Sequence, residues 1–255
     1  MQDSNLHHLD KNIIAKYQDF ARDVLDVEFK DILLLITAFT HRSYVNEHKK
    51  TVKEHNERLE FLGDAVLELA VTEYLYNNFP EPEGILTNWR SALVRTESIG
   101  AAADAFGFEP FLRLSRGEKR GTDRARAQIL ANCYEAVVGA LYLDQGYEPS
   151  KEFINKTILS TLPKILETGS WMDPKSHLQE LAQRMENSTP VYRVLDEEGP
   201  DHEKLFTIGV FVAGKLRGKG SGHSKQTGQQ KAAQEALDYF KNLPKKVKKP
   251  QPEKD

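Results

Sequence analysis

The chain has 255 residues, 39% of them hydrophobic, which allows two ordinary domains with real cores and excludes a wholly disordered protein. Its single cysteine, Cys133, excludes an internal disulfide framework and a four-cysteine zinc site, and it fits a reducing compartment. A net charge of −3 would argue against a nucleic-acid partner, but 15 Lys+Arg face 12 Asp+Glu from Met172 onward, against 20 and 26 in the rest. Such a split suits an acidic part that needs cations and a mildly basic part that meets phosphates.

At the N-terminus, MQDSNLHHLDK lacks the basic-then-apolar pattern of a secretory signal, and the longest apolar run, ILLLITAF, is too short to cross a bilayer. A cytoplasmic protein with no membrane role is the expectation. From Leu6 to Glu167 the periodicity is repeatedly helical, as in DAVLELAVTEYLYNNF and AQILANCYEAVVGALYLDQG, with Gly and Pro as punctuation and no convincing strand alternation.

Within this part HNERLEFLGDAVLELA, residues 55–70, sets Glu57, Glu60 and Asp64 among many apolar side chains. At 3.6 residues per turn these carboxylates fall within roughly 60° of arc, on one helix face. Leu59, Leu62, Val66 and Leu69 form an opposite stripe, with Phe61, Ala65 and Leu67 between. A helix apolar nearly all round is expected to be buried. Crowded carboxylates there need a cation or hydrogen-bond donors. A second helical stretch, ILANCYEAVVGALYLD at 129–144, puts Asn132 and Glu135 at i and i+3. Two or three carboxylates with an amide oxygen are adequate ligands for Mg²⁺. Gly63, costly in mid-helix by about 1 kcal/mol, implies a close approach by another helix or by metal ligands. Cys133 has no neighbouring His in the motif and is assigned to the core, and the histidines are too scattered for zinc.

ETGSWMDPK, 167–175, combines Gly, Ser and a helix-stopping Pro and is the expected linker, centred on 168–173. Beyond it SHLQELAQRME predicts a helix, PVYRVLD and KLFTIGVFVAG predict strands, KLRGKGSG a third strand running into a glycine-rich loop, and SKQTGQQKAAQEALDYFKNL a closing helix. The order is α-β-β-β-α across 174–243. LPKKVKKPQPEKD lacks apolar periodicity and predicts a flexible Lys/Pro-rich tail over 244–255.

NERLEFLGDAVL at 56–67 closely resembles the signature of the ribonuclease III family. HRSYVNE at 41–47, FPEPEG at 79–84, LVRTESIGAAADAFG at 93–107, LSRGEKRG at 114–121 and YEAVVGALYLDQG at 134–146 resemble family elements in family order. The C-terminal segment is similar to the double-stranded-RNA-binding domain that follows the nuclease domain in bacterial members. The resemblance implies an all-α, homodimeric endonuclease domain over 6–167 followed by a small α+β domain. The activity it implies is Mg²⁺-dependent endoribonucleolytic hydrolysis of double-stranded RNA, with Mn²⁺ a plausible substitute. Staggered cuts would leave 5′-phosphate and 3′-hydroxyl ends, in ribosomal RNA precursor processing and RNA maturation or turnover. By motif position Asp64 and Glu135 are catalytic, Glu60, Asp64, Asn132 and Glu135 hold metal, and Glu57 and Glu83 are supporting acidic residues. Phe61 and its surroundings would lie at the dimer interface.

The family pattern at the second helix is Asp-x-x-Glu, whereas this chain reads Asn132-Cys133-Tyr134-Glu135. A neutral amide costs the site one negative charge. Two readings follow, a working nuclease with a higher metal requirement and a weakened protein that chiefly binds duplex RNA. The other matched acidic positions are intact, which favours the first.

Duplex-RNA modules read shape, 2′-hydroxyls and phosphates. The resemblance places Ser176, Gln179 and Glu180 in one minor-groove contact, His202 in the next, and Ser224, Lys225 and Gln229 at the phosphate-binding start of the last helix. Ser224 is a plausible N-cap. Gln226 stands where the family commonly repeats Lys or Arg, which predicts weaker and less salt-sensitive binding than a full basic cluster gives.

Overall fold

The computed structural model describes residues 10–200 and 203–241. His202, the start of the predicted nuclease domain at 6–9 and the tail at 244–255 lie outside the described residues. Internal contacts divide the chain into two compact units, with the division between Trp171 and Met172.

In the first unit the described elements are helical: α1 (Lys11–Phe20), α2 (Ile32–Ala38), α3 (Arg42–Glu47), α4 (Glu57–Asn78), α5 (Glu83–Val94), α6 (Thr96–Ala105), α7 (Asp123–Gln145), α8 (Tyr147–Thr157) and α9 (Leu162–Thr168). One turn of π-helix, Ala21–Leu25, follows α1, and a single parallel bridge joins Thr40 to Arg113. The core forms where Leu67, Ala70, Val71 and Leu75 of α4 meet Tyr134, Val137, Val138 and Leu141 of α7, all buried. Phe20, Phe39, Phe108 and Phe111 close one end as an aromatic cluster, and the Tyr17 hydroxyl donates to the Phe111 carbonyl at 2.6 Å. Local chemistry sets the helix ends. The Thr122 hydroxyl accepts from the Ala125 N–H to start α7, and Gly146 at φ 89° ends it. Near that end the Asp144 carboxylate accepts the Lys30 and Asp31 N–H groups at 2.8 Å each, while Asp31 itself caps α2.

The segment expected to be a linker is tied down in part. Gly169 terminates α9 in the left-handed region, and the Trp171 ring lies edge-on to Trp89, centroids 5.9 Å apart. A large aromatic in a Gly/Ser stretch is better buried than solvated, which limits the freedom that composition suggests.

The second unit runs α10 (Pro174–Glu186), β1 (Val191–Glu198), β2 (Leu205–Val212), β3 (Lys215–Gly222) and α11 (Lys225–Lys241). The three strands form an antiparallel sheet in the order β1-β2-β3. Ala213 and Gly214, at φ 48° and 75°, make the tight turn between β2 and β3, as two positive-φ residues do in a type I′ hairpin. Leu178, Ala182, Ile208, Val210, Val212, Ala232, Ala236, Leu237 and Phe240 make its core. The glycine run of KLRGKGSG lies within β3 and not in a loop. A Cβ on Gly218 would stand 2.3 Å from the Ala232 carbonyl oxygen, and one on Gly220 2.3 Å from the Ala232 nitrogen. Alternate glycines let the α11 backbone lie directly on the strand.

Candidate active site and nucleic-acid interface

The acidic residues of the two long helices converge because α4 and α7 cross at two glycines. A Cβ on Gly63 would stand 1.7 Å from the Glu135 carbonyl oxygen, and one on Gly139 2.2 Å from that of Leu59. Only hydrogen fits at either position. The reason for Gly63 is therefore the backbone of α7. Contact this close brings the turns bearing Glu60 and Asp64 beside the turn bearing Asn132 and Glu135.

The carboxylates there act on one another. Glu135, half-buried, is pushed up to about 7, first by burial and then by the charges of Asp64 and Glu60. Glu60, also half-buried, is raised above the usual carboxylate range by burial and by Glu57 and Asp64, while a hydrogen bond from the Asn132 side chain opposes the rise. The Asn132 amide oxygen is occupied on its other side, accepting from Gln128 Nε2 at 2.7 Å. Asp64 is exposed at the mouth of the cluster.

Glu57 stands at the edge, exposed, with Arg42 Nη1 at 3.6 Å and His55 Nδ1 at 3.8 Å. Its partner is thus Arg42 rather than the adjacent Arg58. Glu83 opens α5 in an exposed position and is not among the charges that perturb Glu60 or Glu135. His41 caps α3, its Nδ1 accepting from the Ser43 N–H, and Arg113 lies over the Tyr44 ring. Those contacts make HRSY a packing element. Cys133 is fully buried, and burial raises its thiol, so it is no nucleophile.

Glu60, Asp64, Glu135 and the Asn132 amide offer only hard oxygen donors, which suit a hydrated divalent cation. Among the described residues no group of three or more His, Cys, Asp or Glu side chains is placed to hold a metal ion. The donor set nonetheless fits such an ion by its chemistry, since its carboxylates repel one another and lack a positive partner at Glu135.

The α4 helix is not buried all round, contrary to its composition. Phe61, Leu69 and Tyr76 are 82%, 57% and 78% exposed, and Leu143 of α7 is exposed as well. In the isolated chain one apolar flank of the crossing is open to solvent.

In the second unit Ser176, Gln179 and Glu180 lie exposed on α10, whose N-cap Asp173 accepts from the Lys175 and Ser176 N–H groups. The Ser224 hydroxyl accepts from the Thr227 N–H at 3.1 Å and caps α11, as its position predicts. Gln229 is half-buried and accepts from Lys175 Nζ at 2.8 Å. Lys225 is exposed, yet its Nζ lies 3.5 Å from Glu197, which also holds Lys204 at 3.2 Å. Sequence reasoning missed two partners. Glu197 is hidden because strand register brings it to Lys225, whereas Gln128 stood in plain view four residues before Asn132.

Residues 31–162 match the family model of the ribonuclease-III-like domain, and 174–240 that of the double-stranded RNA binding motif. Ribonuclease 3 of Oceanobacillus iheyensis is 46% identical over 222 residues, 86% of this chain and 96% of that protein. Ribonuclease 3 of Streptococcus gordonii is 44% identical over 229 residues, 88% and 97% of the two chains. The nuclease domain of ribonuclease III from Campylobacter jejuni superimposes with a TM-score of 0.52 at 38% identity, covering 57% of this chain and 98% of that one. Nothing in these likenesses supports the reading of a weakened, chiefly binding protein. No helix among the described residues is long and apolar enough to cross a membrane. With a matched nuclease domain, a matched duplex-RNA module and relatives alike over nearly their whole length, the chain belongs to the ribonuclease III family and is a double-stranded-RNA-specific endoribonuclease.

Proposed function

We propose that the cleavage centre is the cluster at the α4–α7 crossing, that its cation is Mg²⁺ with Mn²⁺ a substitute, and that two copies of the chain act together. The observation that carries this reading is the convergence of Glu60, Asp64 and Glu135 with no cationic side chain among the groups acting on Glu135. Those three carboxylates, with Asn132 beside them, would hold the cation, which would supply Lewis acidity toward the scissile phosphate. Asp64 and Glu135 are the proposed catalytic pair. The exposed Asp64 faces incoming substrate, and the half-buried Glu135 holds a proton near neutrality when no cation balances it. Glu57 adds charge at the rim, and Glu83 is a supporting acidic residue at the start of α5. Hydrolysis would leave 5′-phosphate and 3′-hydroxyl ends with staggered cuts.

The dimer reading rests on the exposed Phe61, Leu69 and Tyr76 flank, an apolar strip larger than scattered surface residues explain. The Campylobacter jejuni nuclease domain has a region involved in dimer formation. The proposed division of labour gives catalysis and dimerisation to 6–167, and duplex binding to 174–243 through Ser176, Gln179, Glu180, His202, Ser224, Lys225 and Gln229. A cytoplasmic role in ribosomal RNA precursor processing and RNA turnover suits this chemistry.

The test is cleavage of a long, perfectly paired RNA across a Mg²⁺ titration by the unaltered chain, Glu135→Ala and Asn132→Asp. Staggered products that vanish in Glu135→Ala, and a lower Mg²⁺ requirement in Asn132→Asp, are expected. Undiminished cleavage by Glu135→Ala would place the active centre elsewhere.

A further inference from the structure

Lys175, in the first turn of α10, is a half-buried cation whose neighbours are neutral. Its Nζ donates to Gln229 Oε1 of α11 at 2.8 Å and lies 5.2 Å from the centre of the Tyr192 ring of β1. Among the described residues no carboxylate stands within ion-pair distance of this ammonium. Asp173, two residues earlier, spends Oδ1 on the Lys175 and Ser176 N–H groups. An amide oxygen and a ring face orient an ammonium without cancelling its charge. Gln229 takes one of its three donors. Drawing a cation half out of water for neutral partners alone is costly, and the cost is explained if the charge meets an anion when a ligand arrives.

The position suits an anion. Ser176 follows Lys175 and is exposed on α10, and Lys225 lies on α11 four residues before Gln229, so the two α11 residues share a face about 6 Å apart along the axis. In that first turn Lys225 sits 3.5 Å from Glu197, and Gln226 is neutral. Resting on the duplex-binding reading given above, we propose that Lys175 is a phosphate-binding residue, lending α11 from α10 the second cation that Gln226 leaves out. Gln229 serves the interface by holding the ammonium there with its charge undiminished. A Glu at position 229 would hold the same group and consume that charge. The Tyr192 ring restrains the stem, so little side-chain freedom is left to lose when a phosphate binds.

The experiment is binding of the full chain to a perfectly paired RNA of about 20 base pairs, longer than the span such a module covers. Fluorescence anisotropy in chelator follows it from about 50 to about 200 mM salt. The proteins are the unaltered chain, Lys175→Met, Lys175→Gln, Lys175→Arg and Lys225→Ala. Lys175→Met keeps the stem over Tyr192 and removes the charge, while Lys175→Gln removes the charge and keeps a donor for Gln229. In both, the log–log salt slope should become shallower by about 0.9, so that a loss of about three- to tenfold at the low-salt end shrinks by about threefold at the high-salt end. Lys175→Arg should restore the slope. A loss with unchanged slope, or no loss, would overturn the proposal, since a residue that only ties α10 to α11 releases no counterion. Lys225→Ala separates the two levels. A shallower slope there with no effect at Lys175 removes this proposal alone, and no effect at either position overturns the duplex-binding reading with it.

Discussion

Replacing Glu135 by Gln should change the pH dependence of stability in the cation-free protein. The Glu135 carboxyl is displaced from 4.5 to about 7, first by burial, then by Asp64 and Glu60. Between those values the folded chain keeps a proton that the unfolded chain has released. The group's contribution is thus fully present below the unfolded value and is lost as pH rises through about 7. At about 1.36 kcal/mol per pH unit the whole displacement would be worth about 3 kcal/mol. Glu135 is only half-buried, however, and solvent screening brings this to about 1–2 kcal/mol. In a unit of this size that is about 3–6 °C in Tm. His41 works in the opposite sense. Burial lowers its value, so its share is present at high pH and is lost as pH falls through that lowered value. The informative quantity is therefore the difference in Tm between Glu135→Gln and the unaltered chain, measured by calorimetry in chelator from about pH 4, below the unfolded value, to about pH 8. The difference should be near zero at the acid end and favour the variant by about 3–6 °C at the alkaline end, with saturating Mg²⁺ reversing the order there. A difference flat with pH would refute the charge reasoning.

Three further outcomes are expected. Gly63→Ala forces a Cβ into the Glu135 carbonyl and should cost about 3 kcal/mol or more in denaturant unfolding, since backbone cannot yield as a side chain does; a loss under about 1 kcal/mol would mean the helices do not cross so closely. Glu197→Gln removes the carboxylate charge beside Lys225, so duplex-RNA binding should tighten about two- to fivefold at low salt and its log–log salt slope steepen by up to about 1. Unchanged affinity would show that the pair does not compete with phosphate. Phe61→Asp places a charge in the exposed apolar flank, and sedimentation should show monomer in place of dimer; a dimer of unchanged strength would move the interface elsewhere.

Much of the architecture was legible along the chain. Gly and Pro punctuation separated the helices, the change from helical to strand periodicity near residue 170 marked the second unit, and i, i+3, i+7 spacing put Glu57, Glu60 and Asp64 on one face. Local signals of this kind are written in consecutive residues and need no partner to be read. Ser224 as a cap is of the same sort, because a hydroxyl three residues before an orphan N–H has few other uses.

Tertiary structure decided what depends on residues far apart in the sequence. It assigned Gly63 to the α7 backbone, where the spacing left a neighbouring helix and metal ligands both open, and Gly218 and Gly220 to the α11 backbone, where composition suggested a loop. It opened Phe61, Leu69 and Tyr76 to solvent on a helix that hydropathy had buried, because hydropathy counts apolar residues and not the elements available to cover them. It bound Lys225 to Glu197. The sequence by itself determined which residue types were present and how each helix or strand displays them. Only the packing of α4 on α7 could bring Glu60 and Asp64 to Asn132 and Glu135, since burial and mutual charge, which give those groups their chemistry, exist only once the chain has folded.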